Sequence, residues 1–254
     1  MRASITRIET FKACRRLYFL KYVEGLIPVQ TPDALEIGRN YHSRIEHLSR
    51  GEEVENDLSK EAAMAEAYKK FILPKVQIAE AEKWFEKNIG KHTLIGKVDG
   101  IATDGLIVEH KTTSADLESG EYEYNLQWDE QIPAYMSLTG ARQAHYTVCK
   151  KPTIRQGKNE DPAEFYQRMI DWYDESKIQL LEVYRTNDEV AQFERDFVAI
   201  CDEMERAENL YRNTKHCNMW GRRCEYSSVC LHYDPNEEYV DFTKRREENG
   251  NQEN

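Results

Sequence analysis

Two carboxylates could hold a divalent cation between them, with a lysine beside them. Asp99, Glu109 and Lys111 lie in Gly96-Lys97-Val98-Asp99-Gly100-Ile101-Ala102-Thr103-Asp104-Gly105-Leu106-Ile107-Val108-Glu109-His110-Lys111-Thr112. The stretch reads as a β-hairpin from about His92 to Lys111, and the turn decides which residues meet. A two-residue loop at Asp104-Gly105 would set Asp99 opposite His110. A three-residue loop at Thr103-Asp104-Gly105, with Gly105 in the left-handed position, sets Asp99 opposite Glu109 and Lys97 opposite Lys111. Glycine adopts that conformation without strain, so the three-residue loop is expected. Carboxylates on directly paired strands can then share a cation. Taken alone, the stretch reads equally well as an exposed hairpin face with acid and lysine pairs.

Other elements must bring partners to this hairpin. Asp33 to Arg50 has apolar residues at helical spacing, namely Ala34, Ile37, Tyr41, Ile45 and Leu48. Gly38, His42 and Glu46 form the adjacent stripe. A glycine inside a helix points to close backbone approach, and a histidine beside an apolar stripe is more often a core residue than a ligand. A helix over about Leu126 to Thr139 puts Gln131 and Tyr135 one turn apart; by itself this is an ordinary surface pair. Further helices are expected over Ser4–Tyr22, Leu58–Phe71, Pro162–Tyr184 and Asp188–Asn213. Gly25–Pro32 and Thr153–Pro162 read as loops, Gly51–Asp57 as an acidic linker and Thr112–Glu123 as a polar, mobile segment. The chain after Pro74 reads as extended to Asn88, and Gln143–Lys150 as a third strand. Cys201, beside the stripe of Val190, Phe193, Phe197 and Ile200, reads as a buried thiol.

The chain has 254 residues, 32% of them charged, and a net charge of -11. That length fits one large domain or one domain with insertions. The acidic balance counts against a nucleic-acid partner, but basic residues are grouped. Arg2, Arg7, Lys12, Arg15, Arg16 and Lys21 form one group, Lys150, Lys151, Arg155 and Lys158 a second, and Lys215, Arg222 and Arg223 a third. Such groups on an acidic body are compatible with local phosphate binding, or are ordinary solvated faces. No apolar run is long enough to span a bilayer and no signal peptide opens the chain, so a cytoplasmic protein is expected. The tail from Glu247 to Asn254 reads as disordered.

The cysteines carry the densest signal. Cys217, Cys224 and Cys230 fall within fourteen residues, with a glycine between the first two. A cubane cluster or a structural zinc ion needs four ligands, and Cys14 is the natural fourth. Such a site would staple the two ends of the chain. His216 or His232 could replace a cysteine in a zinc version.

Gly38-x3-His42-x3-Glu46, Asp99, Glu109-x-Lys111 and Gln131-x3-Tyr135, in that order, resemble the motif set of the RecB-like branch of the PD-(D/E)XK nuclease superfamily. The bracketing cysteines are similar to its iron–sulfur subset, which includes the AddB nuclease domain and CRISPR-associated RecB-like exonucleases. The resemblance covers residues 1 to about 235, with a helical insertion at about 51–90 and a C-terminal segment at 236–254. It implies an α/β fold, a restriction-endonuclease-like core with a mixed central sheet flanked by helices, plus a helical cysteine-ligated region joining both termini.

The function implied is a metal-dependent DNA nuclease, an exonuclease of repair and recombination, phage DNA processing or CRISPR adaptation. By that resemblance Asp99 and Glu109, with His42 and the His110 carbonyl, hold Mg²⁺ or Mn²⁺. Lys111 orients a metal-bound water or stabilises charge at phosphorus, Gln131 and Tyr135 contact nucleic acid or brace the site, and Glu46 orients His42. Cys14, Cys217, Cys224 and Cys230 hold a [4Fe-4S] cluster, with zinc as the alternative. Arg15, Arg16, Arg222 and Arg223 would contact nucleic acid, and Tyr18, Phe19, Trp220 and Tyr226 could stack on bases or pack in the core. The expected partners are DNA, single-stranded or with a free end, and a helicase or a recombination or adaptation protein, with no membrane. Two other functions stay open: a non-catalytic nucleic-acid-binding partner of the same fold, and a zinc-stapled scaffold protein.

Overall fold

The computed structural model describes residues 1–30, 32–219 and 221–245, and of Ala34 the backbone only. Trp220 and the tail from Glu247 lie outside the described residues. In chain order the elements are β1 (Arg2–Ser4), α1 (Ile5–Ala13), α2 (Arg15–Tyr18), a π-helical turn (Phe19–Val23), β2 (Leu26–Pro28), α3 (Asp33–Ser49), α4 (Lys60–Phe71), β3 (Ile78–Ile89), β4 (His92–Ala102) and β5 (Ile107–Thr113). Then come α5 (Glu121–Leu126), α6 (Gln131–Thr139), β6 (Gln143–Lys150), α7 (Pro162–Asp171), β7 (Ile178–Tyr184), α8 (Asn187–Arg206), a 3₁₀ turn (Thr214–Cys217), β8 (Asn218–Met219), β9 (Arg222–Arg223), α9 (Ser227–Leu231) and β10 (Phe242–Lys244).

The chain divides into two compact units: Met1–Thr31, Lys87–Ile95 and Glu194–Asn254 form the first, Pro32–Glu86 and Gly96–Phe193 the second. In the second unit β4 and β5 are antiparallel, β5 and β6 parallel, and β6 and β7 antiparallel, with β3 also paired to β4. The sheet is therefore mixed. Alternate residues of β6 face opposite sides. Ala144, Tyr146 and Val148 pack with Leu126, Ile132 and Met136 of α5 and α6, while Cys149 packs with Tyr41 and Ile45 of α3 and Met64 and Tyr68 of α4. Helices thus cover both faces, as expected of a restriction-endonuclease-like core.

Local signals start the helices. Ser59 caps α4 by accepting from the Ala62 amide at 3.1 Å. Asp161 caps α7, whose first turn carries Pro162.

Several expected elements differ. The helix expected over Ser4–Tyr22 is broken at Cys14, whose backbone is extended (φ −161°, ψ 112°). The expected loop at Gly25–Pro32 contains β2, which pairs with β10. The helix expected over Leu126–Thr139 is split, because Asp129 turns its carboxylate to the Gln131 amide and starts α6 there. The long helix expected over Pro162–Tyr184 is a short helix followed by β7, whose seven residues pair with β6. The helix after Asp188 ends at Arg206, short of Asn213. The polar segment 112–123 is anchored rather than loose, since Leu117 is buried in the core. Among the described residues no helix is long and apolar enough to cross a membrane.

In the first unit β1 runs parallel to the opening residues of β4. The cysteine region packs Leu20 and Leu26 against Tyr226 and Val229. The Tyr226 hydroxyl donates to the Leu26 carbonyl at 2.8 Å.

Candidate active site

The hairpin has the three-residue loop. Gly105 takes φ +85°, and the pairs Gly100–Val108 and Ile101–Ile107 fix a register that, continued one step, would set Asp99 across from Glu109. The loop closes through Ala102 N to the Leu106 carbonyl and Gly105 N to the Ala102 carbonyl, both at 2.9 Å. Regular pairing stops before Asp99. Val98 and Ile101 both pack against the α6-side core, which their odd spacing forbids in a regular strand, so β4 turns between them. Lys97 consequently does not join Lys111; it pairs with Glu82 of β3.

Asp99 and Glu109 occupy unlike environments. Oδ2 of Asp99 accepts from the His110 amide at 2.8 Å and faces His42 Nδ1 at 3.5 Å. Burial works against the Asp99 charge, yet the hydrogen bond and charge of His42, with His110, hold its pKa below the usual range. Glu109 is 2% exposed. Burial first, and then the charge of Asp99, push its pKa up, while Lys111 opposes them. Oε1 of Glu109 receives Lys111 Nζ at 2.7 Å. Oε2 is buried and has no partner among the described residues.

Lys111 is gripped on several sides. Its ammonium also donates to Gln131 Oε1, and Gln131 Nε2 donates to the Tyr135 hydroxyl at 2.7 Å. The ring of Tyr146 lies 5.9 Å from Nζ, close enough for a cation–π contact. Burial alone would discharge this lysine, but the Glu109 carboxylate overrides it and raises the pKa. Gln131 and Tyr135 are thus joined to the hairpin lysine through one hydrogen-bonded chain.

On the other face, His42 of α3 stands edge-on to His110, with ring centroids 6.0 Å apart. Burial opposes its protonation, and Asp99, seconded by Glu109, raises its pKa nonetheless. The His110 ring bonds Thr147 Oγ1 at 2.6 Å and meets the Tyr68 ring edge-on at 5.4 Å. Burial depresses its pKa to about 4, so the ring is neutral. Gly38 brings α3 close to β5: a Cβ there would come 3.4 Å from Thr112 Oγ1. Glu46 does not turn to His42; it pairs with Arg50 one turn on.

The donor types here suit a hard divalent cation, although the ligand atoms of Asp99, Glu109 and His42 do not all lie within 4.8 Å of one another, so an ion would have to draw them together. Oxygen donors from Asp99 and Glu109 and one imidazole from His42 suit Mg²⁺ or Mn²⁺, the nitrogen donor favouring Mn²⁺. The partnerless Glu109 Oε2, buried beside a second carboxylate, is the atom such a cation would satisfy. Sequence reasoning missed Tyr68, Tyr146 and Thr147. Tyr68 interrupts an Ala- and Lys-rich helix and was the one available signal among them.

In the first unit, Cys14, Cys217, Cys224 and Cys230 line one cavity of about 90 Å³ together with His216. The Asn213 amide donates to Cys14 Sγ at 3.3 Å, and the Cys224 amide to the Cys217 carbonyl at 2.9 Å. No three of these sulfurs lie within 4.8 Å of one another. His232 is not among the residues lining the cavity.

Arg15 pairs with Glu203 and lies over the Phe11 and Tyr211 rings. Arg16 lies over Phe19 and Tyr233. Both therefore brace this region, whereas Arg222 and Arg223 are exposed on β9. Tyr226 is buried in the core of the unit and Tyr18 is also buried, which leaves neither free to stack on a base.

Comparisons with known proteins bear on the fold and the family. A provisionally named exonuclease from Eubacterium rectale is similar in structure at 13% identity, covering 93% of this chain and 90% of that chain, with a TM-score of 0.52. SSO0001 is similar at 16% identity, covering 90% of this chain and 85% of that chain (TM-score 0.48). A phage-related exonuclease from Haemophilus somnus 129PT is similar at 14% identity, covering 64% of this chain and 78% of that chain (TM-score 0.39). No curated protein matches the sequence. The sequence profile of the PD-(D/E)XK nuclease superfamily matches residues 2–231, a span that takes in both the hairpin and the cysteines, and the chain belongs to that superfamily.

Proposed function

We propose that this chain is a metal-dependent deoxyribonuclease that hydrolyses phosphodiester bonds as an exonuclease, on DNA that is single-stranded or has a free end. The observation that carries the reading is Glu109: a carboxylate buried beside Asp99, with one oxygen on Lys111 and the other without a partner. A Mg²⁺ or Mn²⁺ ion held by Asp99, Glu109, His42 and the His110 carbonyl would polarise the scissile phosphate and lower the pKa of a bound water. Lys111, fixed by Glu109, Gln131 and Tyr146, keeps a positive charge where charge builds on phosphorus. Gln131 and Tyr135 keep that ammonium in place. Neutral His110, tied to Thr147, holds the strand that carries Glu109.

The four cysteines line one cavity and would hold a structural [4Fe-4S] cluster, with zinc as the alternative. A helicase or a recombination or CRISPR-adaptation protein would supply the strand, and phage DNA processing is a further setting.

The experiment is cleavage of end-labelled single-stranded DNA with Mn²⁺ by anaerobically purified protein. A product ladder from wild type, lost in Asp99→Ala and Lys111→Ala, is the expected result. Activity that survives either substitution sinks the assignment. Stable DNA binding by wild type with no cleavage would favour a non-catalytic nucleic-acid-binding partner.

A further inference from the structure

Tyr68 of α4 carries a hydroxyl that the fold does not use. The side chain is fully buried, and its oxygen has no hydrogen-bond partner among the described residues. Leaving a buried hydroxyl unpaired costs stability, whereas phenylalanine would fill the same space at no such cost. The ring stands against His110, the residue between Glu109 and Lys111. The amide of that same His110 donates to Asp99 Oδ2 at 2.8 Å, and no hydrogen bond joins Tyr68 to Asp99 among the described residues. Asp99 Oδ2 already serves the His110 amide and His42. The Tyr68 hydroxyl is therefore left with a hydrogen to donate, on a ring packed against His110.

We infer that Tyr68 is a positioning residue for the cation site, its hydroxyl hydrogen-bonding a water in the inner shell of the divalent ion on Asp99. The inference rests on the metal site proposed above. It adds a group on α4, within the segment 51–90 that sequence reasoning treated as an insertion. Tyr166, a buried tyrosine whose hydroxyl is also partnerless but whose charged neighbours are Glu66, Arg44 and Asp57, serves as the control.

The test compares wild type, Tyr68→Phe and Tyr166→Phe by two measurements. One is the thermal midpoint of the metal-free protein. The other is Mn²⁺ affinity by electron paramagnetic resonance of the free ion. Tyr68→Phe is expected to melt no lower than wild type without metal and to bind Mn²⁺ about tenfold more weakly. Tyr166→Phe is expected to bind Mn²⁺ as wild type does. A lower metal-free midpoint for Tyr68→Phe means the hydroxyl has a partner in the fold and overturns the inference. Unchanged Mn²⁺ affinity in that variant overturns it while leaving the metal site standing. Wild type that binds no Mn²⁺ removes the metal site and this inference together.

Discussion

The amide of His110 donates to the Asp99 carboxylate at 2.8 Å, where a continuing ladder would give it a backbone partner. The last regular pair is Gly100–Val108, and β4 turns at Asp99. A side chain has therefore replaced a backbone acceptor, and the hairpin opens where its acids must meet an ion. This hydrogen bond also favours the ionised form of Asp99. One contact thus shapes the strand and charges the ligand.

The contribution of Glu109 to the stability of the metal-free protein should fall as pH rises through its titration. Its pKa is raised in the fold from 4.5 to about 7. Between those values the folded state holds a proton on Glu109 that the unfolded state has released, so this contribution falls with increasing pH. His110, whose pKa burial depresses to about 4, works in the opposite direction over much of the same range. Thermal melts in chelator from pH 4.5 to 7 should therefore be compared between wild type and Glu109→Gln, and the wild type should lose ground to the variant as pH rises. Mn²⁺ should reverse that trend by favouring the ionised carboxylate.

Lys111→Met should reduce turnover by on the order of 10²–10³-fold, the usual cost of losing a charge aimed at a developing anion. The same change removes the partner of Glu109 Oε1, so the metal-free protein should also melt lower. Single-turnover cleavage and calorimetry measure the two effects separately.

Gly105→Ala places a Cβ at φ +85°. A cost of about 1–2 kcal/mol is expected, read as a lower denaturation midpoint in urea. Because the turn sets the register of Asp99 against Glu109, Mn²⁺ affinity should weaken as well.

Cys14→Ser should remove one of four sulfurs lining the cavity. Protein purified without oxygen is expected to be brown, with iron and acid-labile sulfide in equal amounts. The variant should be colourless, with its N-terminal helices more readily cut by protease. Zinc alone in the wild type would overturn the cluster.

The legible parts of this fold were those with local causes. Gly105 dictated the turn, the turn dictated the register, and the apolar stripe around Tyr41 and Ile45 dictated α3. Three features depended on distant chain and could not be read. Ile178, Leu180, Leu181 and Val183 suit a helix as well as a strand, and only pairing with β6 makes them β7. Cys14 breaks its helix where its sulfur meets residues some 200 positions away. Glu46 looked like a partner for His42 by spacing, but Arg50 has the same spacing on its other side. The site residues with an orphaned hydroxyl, Tyr68 and Tyr146, sit in elements whose pattern announces packing only.

The link between Asn213 and the Ala13–Cys14 break has a consequence for the order of synthesis. Asn213 donates from its side chain to the Ala13 carbonyl and from its backbone to Cys14. The first unit gathers its opening segment with chain beyond Glu194, so its N-terminal helices must wait, unclosed, until the ribosome has passed Asn213. The second unit comprises only Pro32–Glu86 and Gly96–Phe193 and can assemble while translation continues. The nuclease core can then fold before the region that carries the cysteines, and any group those cysteines hold would be inserted late rather than seed the fold.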